Sequence, residues 1–154
     1  MIQRIQTVFL FLAIIALFVF NLLPYWQGVP VENGNSLQLM SYGLANVSGP
    51  ETSFNYGLYV MVAGISGVAI IILLIEIFKY KDRVLQMKLA IANSFLMTIN
   101  LALMTYFVID IQKEHQGVMG LGLFIYALAM LLNILARRFI QKDEKLVRSV
   151  DRLR

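Results

Sequence analysis

No cysteine occurs among the 154 residues, which excludes a disulfide framework, a thiolate metal centre and thiol redox chemistry. Charge is scarce as well. Asp, Glu, Lys and Arg make up 14% of the chain, against about 25% in an ordinary soluble domain. A water-soluble fold this short lacks the interior volume to hide the 59% of residues that are hydrophobic. Proline occurs only at positions 24, 30 and 50, so it interrupts none of the long apolar runs. The single histidine, His115, has one neighbouring carboxylate, Glu114, and falls short of the three or four converging ligands of a metal site. No G-x-S-x-G, H-E-x-x-H or Walker pattern is found. With no reactive constellation in sight, no cofactor and no enzymatic activity are expected.

What the chain does have is grease in long blocks. Its mean hydropathy is +0.73, and four apolar runs of about 20 residues, the length that crosses a bilayer, fall at about 5–23, 56–78, 87–111 and 118–136. The first is longer than the core of a signal peptide and lacks a small-residue cleavage site, so it is read as a retained span. The expectation is an all-α membrane protein, an antiparallel four-helix transmembrane bundle occupying residues 1–136. Tight connections at Lys79–Gln86 and Gln112–Gly117 make their flanking helices antiparallel neighbours. The long first outer loop, 25–55, has an Asn33-Gly34 turn signal between two short segments and predicts a small hairpin. A lone hairpin is marginal in water and would need support. Pro24 can end the first helix, and Tyr25 and Trp26 suit a headgroup zone.

Cations set the orientation. Twelve of the 13 Lys and Arg residues fall on the side of the two termini and the second connection, and only Lys113 lies opposite. The positive-inside rule then places both termini in the cytoplasm. Arg137 and Arg138 are expected to halt the fourth span at the lipid headgroups. Residues 137–154 read as a basic cytoplasmic tail helix with an apolar stripe at Phe139, Leu146, Val150 and Leu153. That stripe suits the inner leaflet, the favoured reading, or a protein or RNA partner. Three acids in the stretch weaken pure phosphate binding, and no DNA partner is expected.

The stretches "MIQRIQTVFLFLAII", "KLAIANSFLMTINLAL" and "LARRFIQKDEKLVRSVDRLR" resemble a family of small Bacteroidetes membrane proteins known as domain of unknown function 4293. The resemblance covers the whole chain. It implies a four-helix protein of the bacterial inner membrane and implies no activity. Long first and short second outer loops also occur in claudin-like four-helix proteins, an analogy of fold that carries no function.

Four residues form a candidate intramembrane polar face: Glu76, Asn93, Asn100 and Asn133. Asn93 and Asn100 stand two turns apart on one helical stripe with Met97 and Met104, and Thr98 lies close to it. An amide cannot face lipid without leaving its hydrogen bonds unmade, so these residues should face other helices, as glue or as a polar path. Glu76 is expected to form a local ion pair with Lys79, three residues on, and Asp110 is read in the same way. Ala63, Gly64 and Gly67, and separately Gly117, Gly120 and Gly122, are small enough for close helix approach. Packing within the chain is the first reading of these patches, and a homo-oligomer face the second. The expected function is a non-enzymatic accessory or scaffold subunit, meeting the lipid bilayer and other membrane subunits. A small transporter or channel is the alternative, and a lipid-acting enzyme comes third for want of a nucleophile, base or metal cluster.

Overall fold

The structure, a computed structural model, describes residues 5–30, 36–48, 51–80 and 82–151, with side chains described as far as Lys145. It is mostly helical. Helices α1 (Ile5–Leu22), α2 (Val60–Phe78), α3 (Arg83–Gln112) and α4 (Leu121–Asp151) each include a segment long and apolar enough to cross a membrane. Helix α1 packs against α2 and α4, and α3 packs against the same two, so the four close into a ring.

One spacing builds that ring. The buried residues of α1 include Gln6, Leu10, Ala13, Leu17 and Phe20, and those of α2 are Val62, Ser66, Ala69, Leu73 and Glu76. In α3 they run from Gln86 through Ala90, Asn93, Met97, Asn100 and Met104 to Phe107, and in α4 through Tyr126, Ala129, Asn133, Ala136 and Ile140. Each set steps by alternating threes and fours. That heptad rhythm keeps one narrow seam facing the neighbours in a left-handed bundle. The outward faces are apolar too: Phe18, Phe95 and Phe124 are among many exposed large side chains. Such a surface is compatible with a membrane protein.

At one end of the ring lies a five-stranded antiparallel sheet of order β4-β3-β2-β1-β5. Strands β1 (Trp26–Gly28), β2 (Ser36–Met40), β3 (Gly43–Ser48) and β4 (Glu51–Asn55) come from the first long connection, and β5 (Gly117–Met119) from the third. Strands β1 and β2 pair antiparallel, with Trp26 opposite Leu39; the first strand lies ahead of the segment expected to form the hairpin, and the Asn33-Gly34 turn lies outside the described residues. The sheet corrects the all-α expectation, because three further strands supply the support a lone hairpin lacks. Strand β5 also corrects the start of the fourth span: Val118 and Met119 pair with Gln27 and Trp26, and the helix begins at Leu121.

Backbone bonds stitch sheet to bundle. Tyr25 N–H donates to the Leu39 carbonyl (2.9 Å), Gly120 N–H to Tyr25 O (2.9 Å) and Gly122 N–H to Pro24 O (3.0 Å). Pro24 and Tyr25 thereby accept from the start of α4, where helix donors have no partners of their own. Tyr25 and Trp26 are fully buried at this junction, so they pack the sheet onto the helices and do not face a headgroup zone. A Cβ on Gly117 would collide with the Trp26 ring, and one on Gly120 with the Pro24 carbonyl.

Two boundaries at the other end also differ from expectation. The α3 helix starts at Arg83, four residues early, because the Asp82 carboxylate accepts from Leu85 N–H (3.0 Å) and caps it. Residues 137–151 form no separate tail helix, since α4 continues unbroken through Arg137 and Arg138 to Asp151. Nothing in that stretch, neither proline nor glycine, would break it. Phe139 stacks on Phe9 of α1 (5.2 Å between ring centroids), and Arg83 Nη1 donates to Asp143 O (3.0 Å). These contacts hold the start of the tail along the bundle.

Glycine substitutions separate the two small-residue patches. A Cβ on Gly64 would meet nothing within 4 Å, so Gly64→Ala should leave the melting temperature unchanged or raised, as a better helix former. Gly117→Val should destabilise the protein by about 1–3 kcal/mol, the range for overpacking. Thermal unfolding of both variants in a mild detergent is the measurement.

Candidate functional site

The seam that holds the ring is where the polar side chains lie. Gln6, Ser66, Glu76, Gln86, Asn93, Asn100 and Asn133 are all buried, none more than 2% exposed. The four residues picked out in the sequence, Glu76, Asn93, Asn100 and Asn133, all belong to this set. Tyr126 joins them through its hydroxyl. Thr98 does not, since it is exposed and bonds back to Ser94 O within its own helix.

Toward the sheet, the polar groups bind helix to helix. Asn100 Nδ2 donates to Val62 O on α2 (3.2 Å), and Tyr126 Oη on α4 donates to Met97 O on α3 (3.0 Å). Ser66 Oγ on α2 donates to Asn21 Oδ1 on α1 (2.9 Å). Midway along, Asn133 Nδ2 on α4 reaches Ser94 Oγ (3.0 Å) and Ala90 O (3.4 Å) on α3. These bonds tie α1 to α2, α2 to α3 and α3 to α4. The amide N–H groups go to carbonyl and hydroxyl oxygens, so the carbonyl oxygens of Asn100 and Asn133 are left without partners.

At the far end the pattern changes. Gln86 Nε2 donates to the backbone oxygen of Glu76 (2.6 Å), tying α3 to α2. Both Glu76 carboxylate oxygens, Gln86 Oε1 and Gln6 Oε1 are buried with no partner, as are both polar atoms of Asn93. The expected ion pair with Lys79 does not form. Glu76 faces the seam at 0% exposure, while Lys79 is the C-cap of α2, where the chain leaves the helix and the three-residue spacing no longer stacks the two side chains. Asp110 does pair locally, with Lys113 Nζ at 3.0 Å. This bond and the charge behind it raise the Lys113 pKa above its ordinary value.

Sequence reasoning missed Gln6, Ser66, Gln86 and Tyr126. Gln86 was within reach, since it stands seven residues before Asn93 on the stripe that already held Asn100. Gln6 and Ser66 sit in helices apolar on every face, where no period marks the inner side. Of the tail residues, Phe139 is half-buried on Phe9, Arg138 is exposed, and Arg137 is turned partly inward with a buried, unpartnered Nε. The side chains of Leu146 and Val150, and Leu153 altogether, lie outside the described residues. Gly64 and Gly67 do not mediate packing within the chain, for a Cβ on either would meet nothing. Gly117, Gly120 and Gly122 do, against Trp26, Pro24 and Leu23.

Two open clefts flank the sheet, the larger of about 460 Å³, lined by Val29, Leu37, Asn46, Glu114, His115 and Gln116 among others. Beneath the sheet, burial holds the Tyr25 hydroxyl well above its ordinary pKa, with Tyr59 adding to the effect. No group of three or more His, Cys, Asp or Glu able to hold a metal is found among the described residues.

The fold and seam define a class: a mostly helical protein in which four apolar helices form a ring with a polar interior seam and a small sheet across one end. The chain belongs to the family described as Domain of unknown function (DUF4293), whose match extends over residues 2–153. No curated protein matches it.

The bonded half of the seam yields a direct expectation. Asn100→Leu and Tyr126→Phe should each cost about 0.6–1.7 kcal/mol, the range for interhelical bonds in apolar surroundings. Their combination should fall short of the sum, because the Tyr126 hydroxyl also interacts with the Asn100 side chain. Thermal melting of the two single variants and the double variant measures this coupling.

Proposed function

We propose that this protein is a non-catalytic assembly subunit of a bacterial inner membrane. Its sheet faces outward, both termini lie in the cytoplasm, and α4 is the element that reaches a cytoplasmic partner. The observation that carries this reading is the unbroken length of α4. Its 31 residues extend about 46 Å at 1.5 Å per residue, well beyond a hydrocarbon core of about 30 Å. The surplus leaves at the end where the cations gather, as the positive-inside rule requires.

Two further features support an assembly role. The Asn100, Tyr126, Asn133 and Ser66 bonds use polar groups to fasten helices, which is how a scaffold uses them. Gly64 and Gly67 are open on the outer side of α2, where another helix, from a second copy or a different subunit, could approach closely. The transporter reading would draw on the unpartnered oxygens around Glu76. It has less support, because buried aromatic rings fill the seam toward the sheet.

The natural absence of cysteine makes single-cysteine labelling free of background. In cells, Asn46→Cys should react with an impermeant maleimide supplied from outside, and Asp82→Cys only after the inner membrane is permeabilised. The reverse pattern would overturn the orientation. A photo-crosslinking residue in place of Lys142 should yield adducts to protein. Adducts to lipid alone would return the tail to the membrane surface.

A further inference from the structure

We infer that Glu76 is a binding site for one small hard cation, a proton or a sodium ion, entering from the charged end of the bundle. The inference rests on the seam alone and stands whether or not α4 meets a partner. Glu76 is 0% exposed, and neither carboxylate oxygen has a hydrogen-bond partner. An isolated ionised carboxylate in apolar surroundings is too costly to persist, so something must neutralise it.

Among the described residues, the surrounding helices supply no counter-charge to Glu76. Arg83 Nη1 to Asp143 O, and Asn133 Nδ2 to Ala90 O, bracket the level at which Gln86 meets Glu76. Within that bracket the seam holds Ala90 of α3 and Ala136 and Ile140 of α4. The Phe9–Phe139 stack places Leu10 of α1 beside them. None of these side chains is a donor. Among the described residues, the charged groups at this end are Lys79 on α2, Asp82, Arg83 and Lys88 on α3, and Arg137, Arg138, Lys142, Asp143, Glu144 and Lys145 on α4; α1 carries none in Ile5–Leu22. Not one forms an ion pair with Glu76, and Arg83 donates to Asp143 O.

Gln86 has its Nε2 committed to Glu76 O, which leaves its Oε1 turned inward and unpartnered. A buried carboxylate with no partner, beside an unpartnered amide oxygen, takes a proton or a hard cation and repels anions. Access is one-sided. Toward the sheet, Phe20 lies edge-on against Tyr126 (4.8 Å) and tilted against Tyr25 (6.3 Å), all three fully buried, so the seam ends blind. A seam closed at that end holds a cation and does not conduct it.

The test uses the full chain in mild detergent, with Glu76→Gln and the volume-matched Glu76→Met as comparisons. Melting temperatures are measured across pH in choline chloride and in sodium chloride. A proton held in the folded state leaves earlier from the unfolded chain, so wild-type stability should fall as pH rises, and neither variant should show that fall. If sodium is the occupant, sodium chloride should raise the wild-type melting temperature above that in choline chloride, most at alkaline pH, and leave the variants unmoved. Dicyclohexylcarbodiimide, which modifies protonated carboxyls in apolar sites, reads the same group on the wild type alone. Its adduct, followed by intact mass, should form faster at lower pH and, if sodium binds, at least tenfold more slowly in sodium than in choline. Equal pH and sodium dependence of melting in all three proteins, or an adduct at Glu76 that forms at a rate indifferent to both, overturns the proposal.

Discussion

Polar side chains placed inside an apolar bundle must find their partners there, and this constraint organises the molecule. The helices carry apolar residues all round, so hydrophobic patterning hardly distinguishes an inner face from an outer one. The inner face is marked by amides, a serine, a tyrosine hydroxyl and one carboxylate, spaced in threes and fours on one seam. With surroundings unable to offer hydrogen bonds, each such group facing outward would leave its bonds unmade. Turning them inward sets the rotation of every helix about its axis. Val62 O, Met97 O and Ala90 O receive the resulting bonds and set the helices in register.

The two ends of the seam use the same chemistry to opposite effect. Near the sheet, donors and acceptors meet and the groups act as fasteners. Near the charged end, the Gln86 amide spends its donor on the Glu76 backbone carbonyl, and its oxygen and the Glu76 carboxylate are both left buried without partners. The first arrangement contributes stability. The second stores an electrostatic demand that only an added positive charge can meet, and buried carboxyls of this sort are a functional signal in membrane proteins. A rigid bonded half and a chargeable half within one ring are compatible with a scaffold whose state responds to a cation.

Sheet and bundle depend on each other. Strand β1 follows α1 after a turn through Pro24 and Tyr25, and the carbonyls of those two residues receive the first donors of α4. The glycines at 117, 120 and 122 exist at that junction because the backbone and the Trp26 ring occupy the space a side chain would need. Strand β5, taken from a connection distant in sequence, locks onto β1 by three residue pairs. The outer connections therefore form one platform held by the helix ends, which explains how strands of three to six residues persist.

Composition and periodicity alone determined the number of helices, their approximate limits, the presence of short strands in the first long connection and the inward stripe of Asn93, Met97, Asn100 and Met104. These follow from local rules: the length of an apolar run, a turn signal, a heptad spacing. The sequence also pointed to the family, through stretches at both ends and in α3. Tertiary structure decided what depends on distant partners. The pairing of β5 with β1 joins segments some 90 residues apart in sequence, which no local pattern can report. The fate of Glu76 turned on whether Lys79 was still in the helix, and the chain had already left it. The course of α4 past Arg137 and Arg138 was decided by Phe9 and Arg83 packing alongside, because charge can mark an interface in a sequence but cannot by itself bend a continuous helix.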